Sequence, residues 1–188
     1  MLTLASPIPS TSAVATMYHR FVEDSTGTLV GRGNHENGTT GLAFNTLLQT
    51  TAPLESSSDS GGEFHLDGQF ADSGDSGGPY YVNGRVMGVL FGLIHLPLDP
   101  DTSYTSVPYH LPRILDMIGY RTTLTIQPNT YTTGTVGSAF VTPDRDVCAY
   151  ACERWSSCVI FTHWGGMCSL LTTNTGSATI SGATSGVK

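Results

Sequence analysis

All four cysteines of this 188-residue chain fall between Cys148 and Cys168, and the 147 residues before them contain none. Bridges can therefore staple only the last third of the chain, and everything before it must be held by an apolar core of its own. The spacing is C-x3-C-x5-C-x9-C. Zinc sites pair their thiolates as C-x2-C or C-x4-C, and His163 is the only imidazole nearby, so the spacing argues against a metal and for two disulfides. Four cysteines allow three pairings. A composition shift marks the border between the two chemistries, because residues 126–140, "IQPNTYTTGTVGSAF", are rich in Thr, Gly and Asn and read as a linker running into a new strand. The expected units are residues 1–128 and 129–188.

Composition narrows the first unit. Twenty-two glycines, ten prolines and many Ser and Thr favour short strands and turns over long helices. With 39% hydrophobic residues the chain can bury a core, and its net charge of −7 with only eight Lys and Arg excludes a phosphate-backbone binder. No nucleic-acid partner is expected. No apolar run reaches the roughly 18–20 residues of a membrane span, so no membrane partner is expected either. The N-terminal "MLTLASPIPSTSAVATM" has no basic residue and no apolar block suited to a secretory signal.

Along the first unit, "AVATMYHRFV" and "TGTLVGRG" read as strands separated by turns at Asp24-Ser25 and Asn37-Gly38. Residues 54–64, "LESSSDSGGEF", carry too little apolar content to be buried and read as a surface loop. Asn83-Gly84 between "YYV" and "RVMGVLFGLI" is a two-residue hairpin signal, because both central positions of such a turn need positive φ. Residues 108–119, "PYHLPRILDMIG", predict one short helix with Pro112 near its start and Gly119 as its stop.

Ser76 is the residue with the most suggestive surroundings. Gly74, Ser76 and Gly78 satisfy Gly-x-Ser-x-Gly, but a nucleophile elbow needs a helix after the serine, and here Pro79 and a hairpin follow. A chance string is the plain alternative, since "DSGG" recurs at residues 59–62, although that copy lacks the following proline and apolar strand. The run Gly74-Asp75-Ser76-Gly77-Gly78-Pro79, the Gly84-Arg-Val-Met-Gly88-Val89 strand after it, and the closing "TSVPYHLPRILDMIG" together resemble the chymotrypsin-like serine peptidases over about residues 13–120. The resemblance implies a mainly β fold in which this chain supplies a single six-stranded-type β-barrel, the C-terminal half of a chymotrypsin-like fold. It implies Ser76 as nucleophile, the N–H groups of Gly74 and Ser76 as an oxyanion hole, and Asp75 as a buried support in need of a partner. It also puts Phe70 at the floor of the specificity pocket and Phe91 and Leu93 on its wall, so the pocket is expected to be apolar, shallow or blocked, without a trypsin-like preference for Lys or Arg.

A serine alone is a poor nucleophile, because it needs a histidine base and a carboxylate to orient that base. In the family both come from a first barrel, and the 75 residues before Ser76 are about what the second barrel alone uses. None of "MYHRF", "GNHEN" or "EFHLD", around His19, His35 and His65, resembles the family's histidine motif, and neither Asp24 nor Asp67 lies in its aspartate motif. The base and orienting acid are not seen, so this chain alone is expected to be inactive. Truncation, a natural pseudoenzyme and an assembled pair all account for that; the lack of a signal peptide favours truncation.

The second unit resembles the PAN/apple domain over about residues 137–188, on its cysteine order, a helix start at Thr142-Pro143-Asp144, and strands "CVIFTH" and "MCSLL". The resemblance implies a small disulfide-stapled α+β module, bridges Cys148–Cys168 and Cys152–Cys158, and a protein or glycan ligand. Trp155, Phe161 and Trp164 are candidates for a contact patch or for core packing. The expected partners are a peptide or protein substrate, if a first barrel completes the site, and the ligand of the module; no cofactor is expected. Disulfides place the chain outside the cytosol, so secretion is expected, with Asn37-Gly38-Thr39 a possible glycosylation site. The competing reading is a non-catalytic extracellular recognition or adhesion protein whose half-barrel is only scaffold.

Overall fold

The computed structural model describes residues 16–22, 24–33, 47–54, 62–96 and 99–188, with the side chains of 93–100 left aside. His35, Asn37 and most of the expected loop at 54–64 lie outside the described residues, as does the side chain of Leu93. Mainly β structure is what the chain forms. The first sheet contains β1 (Thr16–Met17), β2 (Thr26–Gly31), β3 (Leu48–Pro53), β4 (Glu63–Asp67), β5 (Pro79–Val82), β6 (Arg85–Leu96) and β7 (Asp99–Ser106). Six of these strands follow one path, β3-β2-β5-β6-β7-β4, curled into a half-barrel, while β1 pairs in parallel with the start of β6.

Its core is an aromatic cluster. The Phe64 and Tyr104 rings stack at 5.3 Å between centroids, and Tyr80 packs against both at 5.6 and 5.4 Å. The Tyr80 hydroxyl is satisfied by the carbonyl of Ala52 at 2.9 Å, as a buried hydroxyl requires. Phe64 is fully buried and Leu54 nearly so, which corrects the reading of residues 54–64 as surface loop at both ends. One alternating pair of apolar residues, Phe64 and Leu66, is enough to commit β4 to the core although the segment before it is polar.

Asn83 and Gly84 take φ of 50° and 73° and join β5 to β6 as a tight hairpin. Helix α1 (Val107–Met117) begins a turn earlier than the proline signal suggested. Ser106 caps it, accepting from the Tyr109 N–H at 3.4 Å, and Pro108 sits in the first turn where no N–H is needed. Pro112 is therefore inside the helix, where its ring removes one backbone bond. Gly119, at φ 65°, ends the helix as expected.

The second sheet is built from β8 (Thr125–Thr133), β9 (Val136–Val141), β10 (Ile160–Trp164), β11 (Met167–Leu171) and β12 (Gly176–Val187), in the order β8-β12-β10-β11-β9. Residues 126–140, read from composition as a linker, are thus two edge strands. Thr, Tyr and Val suit a pleated surface, and Pro128 is tolerated because β8 lies at the sheet edge beside a register break. Helix α2 (Arg145–Arg154) packs on this sheet. Its cap is Asp144, whose carboxylate accepts from the Asp146 N–H at 2.7 Å, whereas Thr142 makes a local turn to the Asp144 N–H. Cys148 is joined to Cys168 and Cys152 to Cys158, so α2 is bridged both to β11 and to the segment leading into β10.

The two sheets are not separate bodies joined by a tether. Leu111 and Leu115 of α1 belong to the same buried cluster as Val147, Cys148 and Phe161. Glu153 of α2 holds the connection between them, accepting from the Tyr120 and Thr122 hydroxyls at 2.9 and 2.7 Å and from the Thr123 N–H at 2.6 Å.

Candidate functional site

Residues 72–78 form a tight loop between β4 and β5, and nearly every amide in it is accounted for. The Asp72 N–H donates to the Asp75 carboxylate at 3.0 Å, and the Ser73 N–H to the Asp72 carboxylate at 2.6 Å. The Asp75 N–H donates to the Asp72 carbonyl at 3.0 Å and the Gly78 N–H to the Asp75 carbonyl at 2.8 Å. The Gly77 N–H reaches the Leu90 carbonyl at 2.8 Å while the Leu90 N–H returns to the Gly78 carbonyl at 2.9 Å, which zips the loop to β6. Two amides are left, those of Gly74 and Ser76, and neither has an acceptor among the described residues. They flank Asp75, and the second is the N–H of the exposed Ser76 itself.

Glycine makes this geometry affordable to the backbone. Gly74 and Gly77 have φ of 97° and 85°, a region an L side chain rarely enters, so the first and fourth letters of the run are dictated by the fold of the loop. A Cβ on Gly78 would meet the carbonyl oxygens of Asp75 and Val30 at 2.8 Å. The sequence run is thus a description of one backbone shape.

Asp75 is the pivot, 6% exposed. Its Oδ1 accepts from the Gly33 N–H at 2.6 Å and its Oδ2 from the Asp72 N–H, so among the described residues the carboxylate is held by two backbone donors and no cation. Sequence reasoning had left its partner open. Gly33 is that partner, 42 residues away, and Gly31 and Gly33 both lie so close to the carboxylate that a Cβ on either would collide with it. The only signal in the sequence was the Gly31-Arg-Gly33 ending of a strand, which shows a demand for close approach without naming what approaches.

Beside the loop lies a cavity of about 210 Å³ between β2, β3 and the segment 70–78, walled by Leu29, Leu48, Phe70, Leu90 and Tyr104 with Asp75 at its edge. Phe70 is fixed there by its N–H, which donates to the Thr102 hydroxyl at 2.9 Å, and that hydroxyl donates in turn to the Gly68 carbonyl at 2.8 Å. Burial first, and the nearby Tyr80 and Asp75 second, hold the Tyr104 phenol well above the usual tyrosine range, so it stays neutral. Phe91 stands elsewhere. It is 47% exposed in β6, just past the residue that bonds the loop, and does not line this cavity.

Two of the candidate histidines have contacts of their own, and His35 lies outside the described residues. His65 Nδ1 and Ser103 Oγ are 2.9 Å apart across β4 and β7. His19 is buried against Phe140 of the second sheet, ring centroids 4.8 Å apart. Asp24 sits in a turn at φ 53° and Asp67 at the exposed end of β4. The Ser76 hydroxyl makes no hydrogen bond to a described residue. Among the described residues no three His, Cys, Asp or Glu side chains gather as a metal site, and no helix is long and apolar enough to cross a membrane. In the second unit Phe161 is fully buried, Trp155 is half-buried and Trp164 is 49% exposed.

A curled antiparallel sheet carrying a glycine-framed serine loop before a hairpin defines a chymotrypsin-like fold. Among solved structures it is similar to neuropsin, a serine protease expressed in the limbic system of mouse brain, with TM-score 0.50 and 16% identity over 60% of this chain and 57% of neuropsin. The likeness is one of fold, and the chain spans little more than half the length of that neighbour. No family model matches the sequence, and no curated protein matches it.

Proposed function

We propose that this chain is the C-terminal portion of a secreted serine endopeptidase of the chymotrypsin-like fold, followed by a PAN/apple-like module that binds protein or glycan. Ser76 is its nucleophile, and the Gly74 and Ser76 amides receive the oxyanion of the tetrahedral intermediate. The observation that carries this reading is the pair of amides without acceptors among the described residues, in a loop where every other amide has one. Preorganised donors of this kind act without reorganisation, and losing one costs about 10²–10³ in kcat. Asp75 keeps the pair aimed by anchoring the loop to Gly33. The neighbouring cavity accepts an apolar side chain, since its one carboxylate is already bonded to two amides. The bridged cysteines support an oxidising, extracellular setting.

Catalysis needs a base within hydrogen-bonding reach of Ser76, which a first barrel would bring. The test is a fluorophosphonate probe applied to this chain and to the chain extended by an upstream barrel. Labelling of Ser76 in the extended protein only, lost in Ser76→Ala, is the expected result. No labelling in the extended protein defeats the peptidase reading, and labelling of the short chain defeats its inactivity. A non-catalytic extracellular recognition protein is the second reading, favoured by the placement of His19 and His65 away from the serine; it predicts no labelling in either form.

A further inference from the structure

With fifteen Asp and Glu against eight Lys and Arg, the chain has acid to spare for any cation. Yet among the described residues the one ion pair is Arg145 with Asp146. Arg20, Arg85 and Lys188 gather where the segment after β1 meets the C-terminal end of α2, and none of them forms an ion pair among the described residues. Arg85 donates to the Arg154 carbonyl at 3.4 Å and its guanidinium stands 5.8 Å from the centre of the Tyr18 ring. Lys188 donates to the Cys152 and Trp155 carbonyls at 3.1 and 3.0 Å. Arg20 is exposed and has no carboxylate partner among the described residues. The carbonyls at the end of α2 account for part of the cluster, through the negative end of the helix dipole, and among the described residues no ion pair offsets Arg20 or Arg85.

His19 records that imbalance. It is buried here, with neither ring nitrogen bonded. Burial first, then the charges of Arg85 and Arg20, lower its pKa to about 4. A cleft of about 240 Å³ opens at this point, lined by Tyr18, His19, Arg20, Arg85, Ser138 and Trp155. The Trp155 ring lies against Gly137, where a Cβ would collide with it, so this wall is already in place before any ligand arrives. Two guanidinium groups, an indole, a phenol ring and a hydroxyl around a small cleft match a ring-shaped, hydroxylated anion. A long polyanion fits less well, because a chain of net charge −7 repels it beyond the cleft.

We infer that this cleft, formed jointly by the two sheets, binds an acidic saccharide unit, its sulfate or carboxylate between Arg20 and Arg85 and its ring against Trp155. The site is independent of Ser76 and of the peptidase reading. The test is calorimetric titration of the whole chain with a sulfated chondroitin disaccharide, alongside cellobiose, inorganic sulfate and adenosine monophosphate. Saturable binding of the sulfated disaccharide is expected, weakened about tenfold by Arg20→Gln and by Arg85→Gln, each of which removes a charge-assisted contact. His19 gives the local readout by NMR. Its pKa rises from about 4 when the ligand's charge offsets the arginines. No saturable binding, unchanged affinity in both variants, or a His19 pKa that stays put with ligand bound each overturns the site. Binding of cellobiose, free sulfate or the nucleotide as tightly as the disaccharide overturns the saccharide assignment.

Discussion

Replacing Asp75 by alanine removes the acceptor for two N–H groups at once, those of Gly33 and Asp72, at a position 6% exposed. A buried donor left unsatisfied costs about 1–3 kcal/mol, so two cost roughly 2–6 kcal/mol. Against the usual stability of about 5–15 kcal/mol, that is a large share. Asparagine separates the contributions. Its one oxygen can serve one donor, while its NH2 group faces the other, so Asp75→Asn should lose about half as much, roughly 1–3 kcal/mol. Gly33→Ala should resemble Asp75→Ala while leaving the carboxylate in the sequence, because its Cβ would sit 2.7 Å from the Asp75 Cγ and from the Ser73 carbonyl oxygen. Urea unfolding gives the stabilities, and hydrogen exchange at Gly33 and Asp72 reports whether the loop has come loose. If Asp75→Ala lies within about 0.5 kcal/mol of the parent, the range of an ordinary surface change, the carboxylate does not hold the loop and the account of the serine site fails.

The pKa of about 4 at His19 means that the unfolded chain, with a histidine near 6.5, takes up a proton that the folded chain refuses between those values. Stability should therefore be intact above pH 6.5 and fall by as much as about 3 kcal/mol as the pH drops toward 4, a slope that His19→Phe should remove. Unfolding of the two proteins across that range checks it, and equal slopes refute it. Loop closure predicts that the Cys148–Cys168 bridge, 20 residues apart, contributes about 3 kcal/mol and the Cys152–Cys158 bridge, 6 apart, about 2 kcal/mol, so Cys148→Ala with Cys168→Ala should be the more damaging pair in thermal unfolding. Glu153→Ala should free Tyr120, Thr122 and Thr123, seen as faster exchange at the Thr123 amide than in the parent.

What the sequence settled was whatever a residue's own backbone demands. Gly74, Gly77, Asn83-Gly84 and Gly119 all take positive φ, and each marked its loop, hairpin or helix end before any contact was known. The strand after Pro79 was legible because Tyr80-Tyr81-Val82 leads directly into the Asn83-Gly84 turn signal. Composition misled where a residue type serves two purposes: threonine and glycine at 126–140 suit a linker as well as an edge strand, and only pairing with β12 and β11 decided between them.

Tertiary structure alone decided the partners. Gly33 under Asp75, Glu153 on the 120–123 segment, Leu111 and Leu115 in the core of the second sheet, and His19 buried between the sheets are all encounters between distant parts of the chain. Backbone preference is a property of one residue and its neighbours and can be written into a short motif. A buried charge, by contrast, is satisfied by whichever donor the completed fold carries to it, and no local pattern around Asp75 or His19 encodes that meeting.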